Sequence, residues 1–104
     1  MARDDEFELR DGDYAATVTA RAGALRRLTF RGRDLVVPFP QGGPIPDYRG
    51  IIAAPWPNRL ADGRYTFDGA PHRVPVNEPE RGCALHGLGF TRDWALADSD
   101  ERSV

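Results

Sequence analysis

The chain has 104 residues, 40% hydrophobic and 29% charged, with 14 basic against 16 acidic side chains and a formal net charge of −2. That length bounds it to one domain or part of one, and the composition is that of a soluble globular chain. The charge balance argues against nucleic-acid binding, and no apolar run approaches the ~18 residues of a membrane span. Every basic residue is Arg and none is Lys, which removes lysine Schiff-base chemistry.

The start, Met1–Glu6, is acidic and lacks an apolar core, so no secretory leader is expected. The single Cys83 forbids an intrachain disulfide and makes the cytoplasm the default location. With 11 Gly and 9 Pro, the chain reads as short strands joined by tight turns.

Glu6–Arg10 is a first strand candidate, ended by Asp11-Gly12-Asp13. Tyr14–Ala20 alternates, with Tyr14, Ala16, Val18 and Ala20 on one face and Ala15, Thr17 and Thr19 on the other. After the break at Arg21-Ala22-Gly23, Ala24–Arg31 places Leu28 and Phe30 opposite Arg27, Thr29 and Arg31. A helix over Ala22–Leu28 is the alternative there, weakened by Gly23. Gly32-Arg33-Asp34 reads as a turn, and Leu35–Phe39 as a short apolar run. The Pro- and Gly-rich stretch from Phe39 to Pro57 excludes regular helix and reads as an ordered loop, with a very short strand candidate at Ile51–Ala54.

Arg64–Phe67 and His72–Val76 read as a hairpin turning at Asp68-Gly69, with Pro75 at an edge or a bulge. Asn77–Ala84 follows as a loop. Leu85–Phe90 carries a His-Gly pair, and Trp94 in the apolar Trp94–Ala97 stretch reads as a core anchor. Asp98–Glu101 reads as a turn and Arg102–Val104 as the start of a further strand, so the domain is expected to continue beyond it.

The polar residues that stand out are Asn58, Arg59, Asp62, His72, Glu78, Cys83 and His86. Pro55 and Pro57 stiffen the backbone around Trp56 and present Asn58-Arg59 beyond it. An amide that both donates and accepts, beside a guanidinium with five donors, suits a ligand with several hydroxyls. Trp56 suits stacking on the apolar face of a sugar. The plainer alternative pairs Arg59 with Asp62 and puts Trp56 in the core. His86 can donate to a ring oxygen or shuttle a proton; the alternative is a histidine hydrogen-bonded within a sheet. His72 reads as structural or exposed. A Cys83–His86 nucleophilic pair has no other support in the chain. Cys83, His86, His72 and Glu78 have no recognised metal-ligand spacing, so no metal is expected. Neither GxGxxG nor GxxxxGK occurs.

Together these residues resemble the aldose 1-epimerase (mutarotase) family. The resemblance lies in the run from Ala54-Pro55-Trp56-Pro57-Asn58-Arg59 through Gly63-Arg64-Tyr65-Thr66-Phe67-Asp68-Gly69. Val76-Asn77-Glu78-Pro79, Ala84-Leu85-His86-Gly87-Leu88 and Trp94 extend it. It implies an all-β, antiparallel β-sandwich (galactose mutarotase-like) of roughly 300 residues in one domain. Residues 1–104 would form the amino-terminal third of that domain.

The activity implied is interconversion of the α and β anomers of a free hexose such as glucose or galactose, without metal or organic cofactor. A general acid protonates the ring oxygen while a general base takes the anomeric hydroxyl proton. In the family a His and a Glu fill those roles, and both lie beyond the matched region. The resemblance implies sugar binding by Arg59, a sugar contact near the ring oxygen for His86, and a loop-shaping or sugar-binding part for Asn58. The chain is therefore expected to bind an aldose without turning it over alone. The alternatives are a non-catalytic carbohydrate-binding remnant or a fragment that self-associates through exposed strand edges.

Overall fold

A computed structural model describes residues 5–104; most of the acidic start, Met1–Asp4, lies outside the described residues. All described strand pairs are antiparallel. Helical structure among the described residues is confined to the short 3-10 turns Pro46–Tyr48, Pro79–Arg81 and Gly89–Thr91, so the protein is all-β. No helix among the described residues is long and apolar enough to cross a membrane. The chain forms two compact units. One holds the chain up to Ile52 together with Gly89–Val104, and the other is Ala53–Leu88.

The first unit is built on a meander of β1 (Glu6–Asp11), β2 (Tyr14–Thr19), β3 (Leu25–Phe30) and β4 (Arg33–Asp34), in that spatial order. Ala22 and Gly23, at φ 60° and 58°, reverse the chain between β2 and β3, so Leu25–Phe30 is strand and the helical alternative falls. Arg31 and Gly32, at φ 50° and 80°, make the next turn, a left-handed pair whose twist suits a hairpin. That turn lies one residue earlier than expected, which puts Arg33 and Asp34 into β4 opposite Phe30 and Thr29.

The alternation of β2 leaves open which face is turned inward, and the structure buries the threonine face. Thr17 and Thr19 are buried, as is Thr29 on β3, whereas Tyr14 is 51% exposed. Threonine enters because its hydroxyl finds a partner: Thr17 Oγ1 donates to the Glu8 carboxylate across the strand pair at 3.0 Å. Glu6 pairs with Arg26, whose Nη1 also donates to the Phe39 carbonyl at 3.0 Å. A polar layer thus ties the sheet to the loop that follows it.

The apolar core is Ala22, Ala24 and Phe39, with Ile45, Ile51 and Phe90 packed against it. Leu35–Phe39 is not a strand; it delivers Phe39 to this core, and Pro38 has no N–H to offer a ladder. Ile51–Ala54 is not a strand either. Trp94 is 39% exposed and not a core anchor. It lies over Gly23, donates from Nε1 to the Gly89 carbonyl at 3.0 Å, and lines an apolar groove with Phe7, Val18 and Ile52. Arg102–Val104 forms no strand; the contact of the terminal segment with β1 is Arg10 N donating to Glu101 O at 2.8 Å.

The second unit contains two antiparallel pairs, β5 (Arg59–Ala61) with β8 (Cys83–Leu85) and β6 (Arg64–Phe67) with β7 (Ala70–Arg73). The Asp68-Gly69 turn forms as expected, but the return strand is Ala70–Arg73 and not His72–Val76. A two-residue turn leaves Ala70 opposite Phe67, so the register follows from the turn alone. Pro71, not Pro75, is the proline in this hairpin. His72 is exposed and stacks on its cross-strand neighbour Tyr65 at 5.1 Å between ring centroids. The expected loop Asn77–Ala84 contains a 3-10 turn at Pro79–Arg81 and most of β8.

Candidate functional site

The second unit brings the Trp56–Arg59 and Leu85–His86 segments together through the β5–β8 pair, in which Arg59 lies opposite Leu85. One residue outward, Asn58 and His86 close the ladder. His86 N donates to the Asn58 carbonyl at 2.9 Å, and Asn58 N donates to His86 Nδ1 at 3.0 Å. Both residues are left-handed, at φ 62° and 60°, a conformation that Asn and His enter more readily than most side chains. A main-chain donor on Nδ1 leaves the proton of the neutral ring on Nε2, so the tautomer is set by the backbone of the other motif.

Gly87 follows at φ 73°, and a Cβ there would collide with the Ala54 carbonyl, to which Leu88 N donates at 2.7 Å. Only glycine suits both the angle and the approach. The Ala54–Pro55 peptide is cis. Trp56 is half-buried, and its Nε1 donates to the Ala84 carbonyl at 3.2 Å. With Pro55, Leu60 and Tyr65 it lines an apolar hollow.

Arg59 is engaged by Glu78, not by Asp62. Nε donates to Oε1 at 2.6 Å and Nη2 to Oε2 at 3.2 Å, a two-point contact, and Nη1 donates to Asn58 Oδ1 at 3.3 Å. Asp62 sits at φ 58° in the turn that ends β5, where its main chain donates to Gly82. The hydrogen bonds from Arg59 hold the Glu78 carboxyl below its ordinary range; burial opposes them, and the individually weaker charge effects of Arg59 and Arg81 add to the lowering.

Glu78 is itself held by β8. Its N donates to Cys83 O at 3.0 Å, and Cys83 N donates back to its carbonyl at 3.2 Å. The Asn77 side chain donates to Leu85 O at 2.9 Å and accepts from Leu85 N at 2.6 Å. The sequence alone assigns neither of these parts to Asn77 and Glu78; their adjacency just ahead of β8 is the signal it contains. Cys83 Sγ donates to Arg81 O at 3.1 Å and forms no pair with His86. Among the described residues, no group of three or more His, Cys, Asp or Glu side chains comes together as a metal site.

The network therefore joins Asn58, Arg59, His86 and Glu78, with Trp56 attached to the same strand. Its carboxylate is engaged at two points by the Arg59 guanidinium, with Arg81 Nε also 3.7 Å from Oε2.

Comparison with known proteins agrees with this architecture. The sequence profile of the aldose 1-epimerase family matches residues 5–104. The chain is 39% identical over 97 residues to the uncharacterized protein YihR of Escherichia coli strain K12, which covers 92% of this chain and 31% of that protein. An Escherichia coli K12 crystal structure provisionally described as an aldose 1-epimerase superposes with a TM-score of 0.73 at 18% identity, covering 93% of this chain and 33% of that one. A galactose mutarotase-like protein of Clostridium acetobutylicum gives 0.68 at 18% identity, covering 88% and 30%. These two likenesses establish the fold, and the chain spans about a third of the length of the relatives it matches. From the profile match over residues 5–104, the chain belongs to the aldose 1-epimerase family.

Proposed function

We propose that this chain supplies the sugar-contacting, amino-terminal third of a mutarotase β-sandwich that interconverts the α and β anomers of a free hexose such as glucose or galactose. Arg59 and Asn58 bind sugar hydroxyls, His86 donates from Nε2 near the ring oxygen, and Trp56 stacks on an apolar face of the ring. The general acid and base that open the ring lie outside these 104 residues, and the chain alone does not turn over. No metal or organic cofactor takes part. A cytoplasmic setting is consistent with the single free cysteine.

The observation that carries this reading is the reciprocal bonding of Asn58 and His86. It joins two motifs 28 positions apart and leaves the imidazole in one tautomer, bonded to the same Asn58 that accepts from the Arg59 guanidinium. Ring opening needs directed donors around the anomeric centre, and such donors are useful only if they are held in place.

Polarimetry tests the catalytic half. Mutarotation of fresh α-galactose and α-glucose should run at the buffer rate with the folded chain. Acceleration that disappears in His86→Ala would show that the chain holds a complete acid–base site. Tryptophan fluorescence tests the binding half, with a saturable change expected at tens of millimolar galactose.

A second reading, self-association, is favoured by the β6–β7 hairpin. All of its residues are exposed, and Phe67 is 70% exposed. Such a ribbon is a template for edge pairing. A sharp monomer peak on size exclusion at high concentration would remove this reading.

A further inference from the structure

The Glu78 side chain is 12% exposed, whereas its partner Arg59 is 40% exposed. The carboxylate thus lies behind the guanidinium and grips Nε and Nη2 at two points. Two contacts set the plane of a guanidinium, which one contact would leave free to turn. Glu78 is in turn fixed from its own backbone, through both hydrogen bonds with Cys83. The residue before it closes on Leu85 with a further two. The orientation of Arg59 is therefore referred to β8, the strand that ends beside His86.

We infer that Glu78 is a positioning residue whose carboxylate holds the Arg59 guanidinium in the orientation that meets the sugar, an inference that rests on the sugar-binding reading above. An exposed arginine without this grip would lose its rotamer freedom only on binding, and affinity would fall. The low-lying Glu78 carboxyl agrees with a charge engaged throughout the neutral range.

The test is a double-mutant cycle on the full chain, titrated with D-galactose. Glu78→Gln keeps the shape and both main-chain contacts with Cys83, and should weaken binding by about tenfold. Arg59→Lys keeps the charge but not the fork, leaves Glu78 untouched, and should weaken it similarly. In an Arg59→Ala background, Glu78→Gln should produce no further loss. A second readout needs no sugar: the Arg59 Nε–H should exchange slowly with water in the parent and rapidly in Glu78→Gln.

A parent chain that does not respond to galactose overturns the sugar-binding reading. Equal binding with Glu or Gln at position 78, or losses that add independently of Arg59, overturns the positioning inference alone. Equal Nε–H exchange in the two proteins overturns it whatever the sugar result.

Discussion

Replacing Asn77 with Ala should loosen the strand that carries His86. Just past the end of β8, His86 N donates to the Asn58 carbonyl on the β5 side. Antiparallel ladders alternate their hydrogen-bonded pairs, so the N–H and C=O of Leu85 point away from β5. There they meet the Asn77 side chain, which accepts from Leu85 N at 2.6 Å and donates to Leu85 O at 2.9 Å. One amide therefore does the work of a neighbouring strand.

Each neutral hydrogen bond contributes about 1 kcal/mol, and a buried polar group left unpaired costs about 1–3 kcal/mol. Leu85 is 3% exposed, but Asn77 itself is exposed, so truncating it lets water approach the stranded groups. The lower end of the range applies, about 2 kcal/mol for Asn77→Ala. Asn77→Asp keeps the acceptor for Leu85 N and loses the donor, so about 1 kcal/mol is expected. Urea unfolding followed through Trp56, which is bonded to the adjacent Ala84, reads this unit directly. The midpoint for Asn77→Ala should fall by about 1–2 M at unchanged slope. Amide exchange at Leu85 should accelerate in the same variant. A loss below about 0.5 kcal/mol, with Leu85 still protected, would refute the reasoning.

Three further outcomes are expected. Gly87→Ala forces an L side chain into φ 73° against the Ala54 carbonyl, so it should cost more than the ~1–2 kcal/mol of the left-handed conformation alone, measured by the same urea curve. Because the folded Glu78 carboxyl titrates below its unfolded value, its stabilising contribution is complete above the unfolded value of about 4.3 and is lost as pH falls through the folded one. An acid titration of stability should therefore be shallower in Glu78→Gln than in the parent. Arg26→Ala leaves Glu6, 13% exposed, without its partner and removes a bond to Phe39 O, so about 2–3 kcal/mol of destabilisation should appear in thermal unfolding, somewhat below the loss for a fully buried pair.

Local signals were legible in the residues themselves. Asp68-Gly69 announces its turn, Gly23 marks the reversal before β3, and the alternation of Tyr14–Ala20 marks a strand. The order of the Trp56–Arg59 and Leu85–His86 motifs points to the family, and both the all-β class and the family hold. What the residues alone left open was which side of a strand faces inward and which partner a charge selects.

Thr17 can take a buried position because Glu8, its cross-strand partner, accepts from its hydroxyl. Trp94 is left at the surface because the core is closed by Ala22, Ala24 and Phe39 without it. Arg59 passes over Asp62, three positions away, for Glu78, 19 positions away, because the β5–β8 pairing and the Glu78–Cys83 contact bring that carboxylate to it. Periodicity and turn chemistry act over a few residues and can be read along the chain. Pairing across a sheet depends on where distant segments are brought by every other contact, and only the folded structure decides it.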